Sequence, residues 1–547
     1  MLRRSVSLVL GRRNIACKSC GIELQNKIKD GPGYFVLPQK TVRPGAKQLE
    51  LAKQLLYGES LRIEKQLTGP DKESLQKWKE LVPPSCKRCM DALHHNRYDT
   101  AEFPEHTLED VGKSIPRNAV VYHIAPLWQF PMGLDRRVLQ SSKKVCVLFS
   151  KIDMVVQRPS FMPQEIGAFF QSLLSNDLHV KITNFRFFSA LKQWNIQTVR
   201  NALSKESYLL GGPNAGKSSL INALMRTVVY EGRRLVSLKQ SARDPADLPI
   251  KAHLDMHSAG VSTIPNFTRR PQQYEIKDKI IHDVPGYRTS QTHSFDFNSM
   301  IKKDYLLRLR KSDSKTFLTK NYTSINGTES GRCYTVGGLF YYVPPAQSIN
   351  QVTRYMPGDP QQFQSVDKGL EVVRDVYSDR WNKEATSHPL AEYIHVNPAL
   401  CDKSLFVRHI IPPFQGAIEI VLRDVGYMRV VATGSFKFLG LHEIWVPKGI
   451  EVSVREPLTD VFKTAIETYR NGGSAASVAR LVKKRPYISS TYPMAHDEAD
   501  PLGRMREMYL ERTASNLSSR RLMDKDPLAL ISEKQKERVN LYWHYCW

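Results

Sequence analysis

No uninterrupted run of about 18 apolar residues occurs in this 547-residue chain, so an ordinary membrane-spanning helix is not expected. Acid is scarce. The 54 Asp and Glu stand against 79 Lys and Arg, leaving a formal net charge of +25. That imbalance points to polyanionic partners, either nucleic acid or an anionic lipid surface. A basic mitochondrial-matrix protein that binds neither has the same balance, because net charge speaks to association and not to fold. The basic side chains are not gathered into one block: Lys302-Lys303, Arg308 to Lys311 and Lys483 to Arg485 lie far apart. Such a spread suits a broad anionic partner such as folded RNA better than a single polybasic membrane anchor. The first sixteen residues also lack any acid, and they hold four Arg, two Ser and an apolar side from Val6, Leu8, Val9 and Leu10. Residues 1–16 therefore read as a mitochondrial presequence, with a frayed basic terminus as the plain alternative. A secretory signal is disfavoured, since the apolar stretch is short and no small-residue cleavage site follows it.

What is present is ample for packed cores. Hydrophobic residues make up 41% and charged residues 24%, the balance of a soluble globular protein, and the length suggests about three or four domains.

Eight cysteines occur, four of them in two knuckles, Cys17-Lys18-Ser19-Cys20 and Cys86-Lys87-Arg88-Cys89. Two CxxC pairs can set four thiolates around one tetrahedral zinc. The long stretch between them has the spacing of two amphipathic helices broken near Gly69-Pro70, as expected of an insertion looping out of the knuckle. A disulfide pairing is the competing reading. His94 and His95 could substitute as ligands, although four cysteines already complete a shell. Cys146, Cys333, Cys401 and Cys546 read as ordinary thiols.

The strongest motif is Gly211-Gly212-Pro213-Asn214-Ala215-Gly216-Lys217-Ser218, which satisfies GxxxxGK(S/T) between the strand Tyr208 to Leu210 and a helix opening at Ser218-Ser219. Gly211, Pro213, Asn214 and Gly216 would shape a loop whose N–H groups wrap phosphates. Lys217 would reach the β and γ phosphates, and the Ser218 hydroxyl would ligate Mg²⁺. Downstream, Thr268 sits in a loop-like Pro265 to Arg269 stretch, where it could close over the γ phosphate and offer Mg²⁺ a second hydroxyl. Asp283-Val284-Pro285-Gly286 follows the strand Lys279 to His282 as a DxxG. Its Asp283 would hold Mg²⁺ through water and its Gly286 N–H would bond the γ phosphate.

The guanine-reading (N/T)KxD has its counterpart upstream instead of downstream, as Ser150-Lys151-Ile152-Asp153 after Val145 to Phe149, with Ser150 departing from Asn or Thr and giving weaker help on that side of the base. Asp153 would accept two hydrogen bonds that adenine cannot offer, and a buried acceptor left unpaired costs about 1–3 kcal/mol. Phe187-Phe188-Ser189-Ala190 resembles the SA(K/L) loop, with Ser189 and Ala190 placed to meet the guanine O6. The five elements share one permuted order, which predicts a circularly permuted GTPase using GTP and GDP. Position 287, where a water-orienting Gln is common, is Tyr287, so hydrolysis is expected to be slow. Asn214 could ligate a K⁺ ion in place of an arginine finger, or it could simply shape the loop.

CxxC…CxxC followed by this order resembles the YqeH branch of the YlqF/YawG GTPases. The match extends through CKRCMDALHHNRYD, GRCYTVGGLFYYVPP and GLHEIWVPKGIEVSVREP, so it covers nearly the whole chain. The resemblance implies an α/β fold: a circularly permuted P-loop GTPase domain, mostly parallel, at 113–300. It places a four-cysteine zinc-finger domain with helical insertion at 17–112. A mixed α+β partner- or RNA-binding region is expected at 301–547. Catalysis would rest on Lys217, Thr268 and Gly286. It also implies assembly of the small mitochondrial ribosomal subunit through its rRNA. A fungal mitochondrial member instead suggests a GTP-dependent role in membrane and lipid homeostasis, and a scaffold that hardly turns GTP over is a third expectation. Where the family carries Asp before the guanine motif, this chain has Val121-Tyr122-His123-Ile124-Ala125.

The C-terminal region holds no catalytic constellation. Ala417 to Leu422 and Tyr427 to Val431 alternate as strands do. Phe436-Lys437-Phe438 and Arg408-His409 could face RNA or could be ordinary sheet residues, and the basic then aromatic Lys534 to Trp547 could dock on a partner.

Overall fold

The computed structural model describes residues 16–29, 31–35, 85–95, 97–98, 102–162, 165–180, 182, 184–230, 254, 258–262, 264–289, 301, 322–377, 400–414, 416–433, 440–482 and 487–515. The presequence through residue 15, the helical insertion, the basic runs at 302–311 and 483–485, the aromatic stretch 436–438, Cys546 and the tail 534–547 lie outside the described residues.

In chain order, the elements that bear on function are α1 (Lys87–His94), β1 (Val120–Pro126), β2 (Lys144–Ser150), α2 (Ile166–Leu178) and β3 (Phe185–Phe187). They continue with β4 (Glu206–Leu210), α3 (Lys217–Val229), β5 (Gln272–Ile276) and β6 (Lys279–Asp283). The chain forms two compact units, Met1–Val121 with Ile196–Tyr287, and Tyr122–Asn195 with Arg288–Trp547.

In the first unit β4 and β6 are parallel neighbours, with Leu209 opposite Asp283, and β5 pairs antiparallel with β6. A parallel pair needs a crossover, and α3 lies within it. Leu220, Ile221, Ala223 and Leu224 fall on one side of α3 at helical spacing and are buried. Burying a leucine there contributes about 1.5–3 kcal/mol. Strand β4 buries Ser207 to Leu210, which fixes the loop that follows it to the end of a rigid strand.

In the second unit β2 lies between β3 and β1, and β2 and β3 are parallel. Ile166, Phe169, Phe170, Leu173 and Leu174 of α2 are buried together. The Phe170 ring meets those of Phe130 and Phe149 at centroid distances of 5.1 and 4.8 Å. His123 of β1 is fully buried, and its Nε2 accepts the Asp135 N–H at 3.2 Å. This core continues without a break into Val421, Tyr427, Leu458, Phe462 and Val478, so residues far apart in sequence finish one interior.

The rest of the second unit combines two antiparallel sheets with helices at Val366–Tyr377, Leu458–Arg470, Ala475–Ala479 and Pro501–Ser515. Its strands are β7 (Tyr322–Asn326), β8 (Cys333–Val336), β9 (Tyr341–Val343), β10 (Ile349–Tyr355), β11 (Pro360–Phe363) and β12 (Phe406–Ile411). After these come β13 (Ala417–Leu422), β14 (Gly426–Thr433), β15 (His442–Pro447), β16 (Val452–Arg455), β17 (Ile488–Ser490) and β18 (Tyr492–Met494). One sheet runs β17-β16-β13-β14-β10-β7 and the other β11-β8-β9-β15-β12-β18. The register of β13 on β14 sets Ile418 opposite Val430 and Ile420 opposite Met428, all four buried. A one-residue slip would turn those side chains to the other face, so burial fixes the register. A fully buried ion pair crosses β13 and β16: Arg455 Nε donates to Glu419 Oε2 at 2.7 Å, and Arg455 Nη1 donates to the Phe130 carbonyl at 2.6 Å. Arg408 of β12 pairs with Glu443, and His409 Nδ1 lies 2.6 Å from Thr491 Oγ1, which suits their reading as ordinary sheet residues.

Candidate nucleotide loops and metal centre

The Gly211 to Ser218 segment joins β4 to α3 as a tight loop. Asn214 and Gly216 hold left-handed backbone, φ 55° and 100°, which lets the chain curl before the helix begins. The Lys217 ammonium folds back over the loop and donates to the carbonyls of Gly211 and Gly212 at 2.9 and 3.0 Å. Ser218 Oγ donates to Asp283 Oδ2 at 2.6 Å. Asp283 is 1% exposed, and its other oxygen, Oδ1, is buried with no hydrogen-bond partner among the described residues. Burial pushes the Asp283 carboxyl above its usual range, against the pull of the Lys217 charge and the Ser218 hydroxyl. Burial likewise lowers Lys217 to about 8, opposed by the Asp283 carboxylate. A partnerless carboxylate oxygen beside a hydroxyl is a donor pair for a hard cation, and the N–H groups opening α3 attract anions.

Gly286 lies against the same loop. A Cβ there would come within 3.0 Å of the Pro213 nitrogen and 3.1 Å of its Cα, so only glycine permits this approach without a shift. Ser219 is half-buried on the first turn of α3, and Thr268 is 9% exposed. Tyr287 is fully buried, and its backbone bridges to that of His106. It is a core residue of the first unit.

Ser150, Lys151, Asp153, Ser189 and Ala190 belong to the second unit. Ser150 closes β2, Lys151 turns the chain with φ 55°, and Asp153 sits buried in a short 3-10 turn, Ile152–Met154. Burial lowers the Lys151 ammonium, against the charges of Asp424 and Asp153. The loops at Ser150 to Asp153 and Phe188 to Ala190 are stitched together: Phe188 N–H donates to the Phe149 carbonyl at 2.9 Å and Ile152 N–H to the Phe188 carbonyl at 3.4 Å. Ser189 is fully buried, its Oγ accepts the Lys192 N–H at 3.1 Å, and its backbone exchanges hydrogen bonds with Trp194. The Ala190 carbonyl accepts from Gln193 Nε2 at 2.8 Å.

The two CxxC knuckles meet in the first unit. Cys17, Cys20, Cys86 and Cys89 are all buried, and their Sγ atoms lie within 4.8 Å of one another. Cys20 and Cys86 are 4.0 Å apart at sulfur, too far for a disulfide bond of about 2.05 Å. It is close to the roughly 3.8 Å edge of a tetrahedron whose metal–sulfur bonds are about 2.3 Å. The Cys86 N–H donates to Cys17 Sγ at 3.3 Å, the kind of backbone bond that steadies a ligating thiolate. Hydrogen bonds from the other three thiols hold Cys17 below its ordinary value, while those with Cys17 and Cys20 push Cys86 and Cys89 above theirs. The residues fit a structural metal such as zinc. His94 and His95 are exposed and outside the cluster. Cys146, Cys333 and Cys401 are buried thiols, and burial raises each, to about 11, 12 and 11.

Sequence spacing does not signal what packs on this centre. Phe103, Ile264 and Phe267 share its apolar cluster, with Phe103 stacked on Phe267 at 5.9 Å and the Arg88 guanidinium 4.6 Å above the Phe103 ring. Gln272, with its amide turned, reaches the Lys18 carbonyl and the Gly21 N–H.

Among the described residues no helix is long and apolar enough to cross a membrane. Two family models match the chain, the N-terminal domain of genetic interactor of prohibitins 3 over residues 16–103 and its C-terminal domain over residues 320–533. The protein named genetic interactor of prohibitins 3, mitochondrial, of Eremothecium gossypii is 87% identical over 547 residues, the full length of both chains. The namesake of Zygosaccharomyces rouxii is 40% identical, covering 100% of this chain and 96% of the relative. That of Saccharomyces cerevisiae is 39% identical, covering 97% and 96%. The resemblance to a fungal mitochondrial branch is thereby specified: the chain belongs to the mitochondrial family of genetic interactor of prohibitins 3.

Proposed function

We propose that this mitochondrial protein binds a guanine nucleotide and works as a slow GTP/GDP switch in prohibitin-linked membrane homeostasis. One observation carries the nucleotide reading: Ser218 bonded to a buried Asp283 whose second oxygen has no partner among the described residues, beside a buried Lys217. The circularly permuted P-loop architecture and the kinship with YqeH-type GTPases belong to the same proposal, supported by the motif order. Lys217 would leave the loop carbonyls to meet the β and γ phosphates. Ser218 and Asp283 would hold Mg²⁺, whose positive charge offsets that of the phosphates, with Thr268 offering a further hydroxyl. The Gly286 N–H would bond the γ phosphate, and Gly211, Pro213, Gly216 and Ser219 would shape and extend the cradle. Asp153 would accept from the guanine N1–H and N2–H₂, and the Ser189-Ala190 loop would donate a backbone N–H to O6. With the buried Tyr287 in place of a water-orienting Gln, turnover would be slow, and Asn214 could recruit K⁺ as a compensating charge. The four clustered cysteines would hold zinc as a structural ion.

The process-level reading rests on the names of the relatives, which tie them to prohibitins and mitochondria. Those names favour membrane homeostasis over the assembly of the small mitochondrial ribosomal subunit. The second reading, binding of small-subunit rRNA, is kept for one observation, the net charge of +25.

Fluorescent GDP, GTP and ADP titrated onto the purified protein test the site. Guanine nucleotides are expected to bind, and Asp153→Ala should weaken them by roughly 10- to 100-fold, the cost of unpaired buried hydrogen bonds. Equal affinity for ADP and GDP would sink the guanine reading. Comparing phospholipid composition and small-subunit rRNA crosslinks in cells carrying Lys217→Ala separates the two processes. Changed crosslinks with unchanged lipids would replace the first reading by the second.

A further inference from the structure

Thr268 is gripped from both sides by the cysteine centre. Immediately after it, the N–H groups of Arg269 and Arg270 both donate to the carbonyl of Cys20, at 2.9 and 3.2 Å. Immediately before it, Phe267 stacks on Phe103 and belongs to the same apolar cluster as the four thiols. The fit tolerates no added bulk. A Cβ on Gly260 would meet the Ser19 Cα at 2.6 Å, and one on Gly21 would meet the Arg270 carbonyl at 2.9 Å. The other end of the loop is tied to the helix that opens at Lys217. Asn222 Oδ1 accepts the Ala259 N–H at 2.7 Å, and its Nδ2 donates to the Ala259 carbonyl at 3.0 Å.

We propose that the metal held by Cys17, Cys20, Cys86 and Cys89 is a positioning device for Thr268, so that metal and nucleoside triphosphate bind this chain cooperatively. The Cys20 carbonyl stays where Arg269 and Arg270 need it only while the knuckle is closed around its ion. An open knuckle releases both N–H groups and the Phe103–Phe267 stack together. The direction also runs backwards: a triphosphate that draws Thr268 inward holds Phe267 against the knuckle and tightens the metal. Linkage requires the two effects to be equal in magnitude. A diphosphate, which gives Thr268 nothing to close on, would leave the metal affinity alone. The coupling to nucleotide rests on the reading given under the proposed function, whereas the dependence of the loop on metal does not.

Amide hydrogen exchange on the full chain, zinc-loaded and after stripping with a chelator, tests the loop directly. Exchange across 264–272 is expected to rise on stripping while that of α3 (Lys217–Val229) stays the same, and unchanged protection at Arg269 and Arg270 overturns the proposal. If stripping unfolds the chain as a whole, the zinc-loaded Phe267→Ala protein decides. Zinc affinity there, read by competition with a chromophoric chelator, should fall by roughly tenfold, as for other groups packed behind metal ligands. An unaltered affinity counts against the coupling. Titrating a non-hydrolysable GTP analogue and GDP onto zinc-loaded and stripped protein then reads the nucleotide arm. The analogue should weaken by at least about fivefold and GDP by less than about twofold. Equal losses overturn the role of Thr268. Failure of both the zinc-loaded and the stripped protein to bind nucleotide would refute the guanine-nucleotide reading and the cooperativity with it, while the exchange result still decides whether metal fixes the loop.

Discussion

Arg455 and His442 show how much the interior of the second unit depends on single polar side chains. Arg455 is fully buried, and its charge both balances Glu419 and holds two carbonyls, those of Leu127 and Phe130. Arg455→Ala would leave Glu419 buried and unpaired, a loss of about 3–5 kcal/mol that chemical denaturation will read. Replacing both partners by apolar residues of similar volume should recover much of that. His442 behaves differently because it is buried neutral, its Nδ1 lying 2.8 Å from the Tyr342 hydroxyl. Burial lowers it from 6.5 to about 3. Between those values the unfolded chain holds the extra proton, so stability rises with pH through this window and is lost as pH falls from 6.5 towards 3. In the double variant His442→Leu with Tyr342→Phe, the difference between urea midpoints at about pH 4 and pH 7 should shrink. An unchanged acid slope would place the titration elsewhere.

Among the elements, the loops that end β4 and β6 were the most legible in the sequence, because glycine spacing after a short apolar strand has few structural solutions. The alternation in Ala417 to Leu422 likewise named β13, and that in Tyr427 to Val431 named β14. Four cysteines in CxxC pairs announced their own cluster. Contacts made by chain segments far apart were not legible. Nothing in the spacing of Phe103, Ile264 and Phe267 tells that they close over Cys20, and nothing around Glu419 announces Arg455 as its partner. Apolar residues state that they will be buried without stating against what. Glycines show the same divide: Gly286 reads as part of a motif, but its pressure on Pro213 is a matter of packing. Gly286→Ala should therefore force the two loops apart at a cost of about 1–3 kcal/mol and weaken the proposed phosphate binding accordingly. Isothermal titration with GDP will read it, and full affinity would mean the loops separate freely.

For the whole molecule, a net charge of +25 makes association with any polyanion sensitive to salt. Sedimentation with anionic vesicles is expected to fall between about 50 and 200 mM salt, with neutral vesicles not retained at either. Single-stranded RNA competing at equal charge concentration would tell whether one surface serves both. Vesicle binding indifferent to salt would rule out charge as its source.

The second unit is assembled from two separated stretches, Tyr122–Asn195 and Arg288–Trp547. Phe130, Phe149, Phe170 and their neighbours share one core with Val421, Tyr427, Phe462 and Val478. A chain that emerges from the ribosome or a translocation pore amino end first therefore delivers these rings long before the residues that cover them exist in the same compartment. During that delay the early segment is an exposed apolar surface and a natural client for chaperones. A chain halted near residue 300 should never bury it, so premature stops in this protein are expected to yield aggregates instead of shortened but folded fragments.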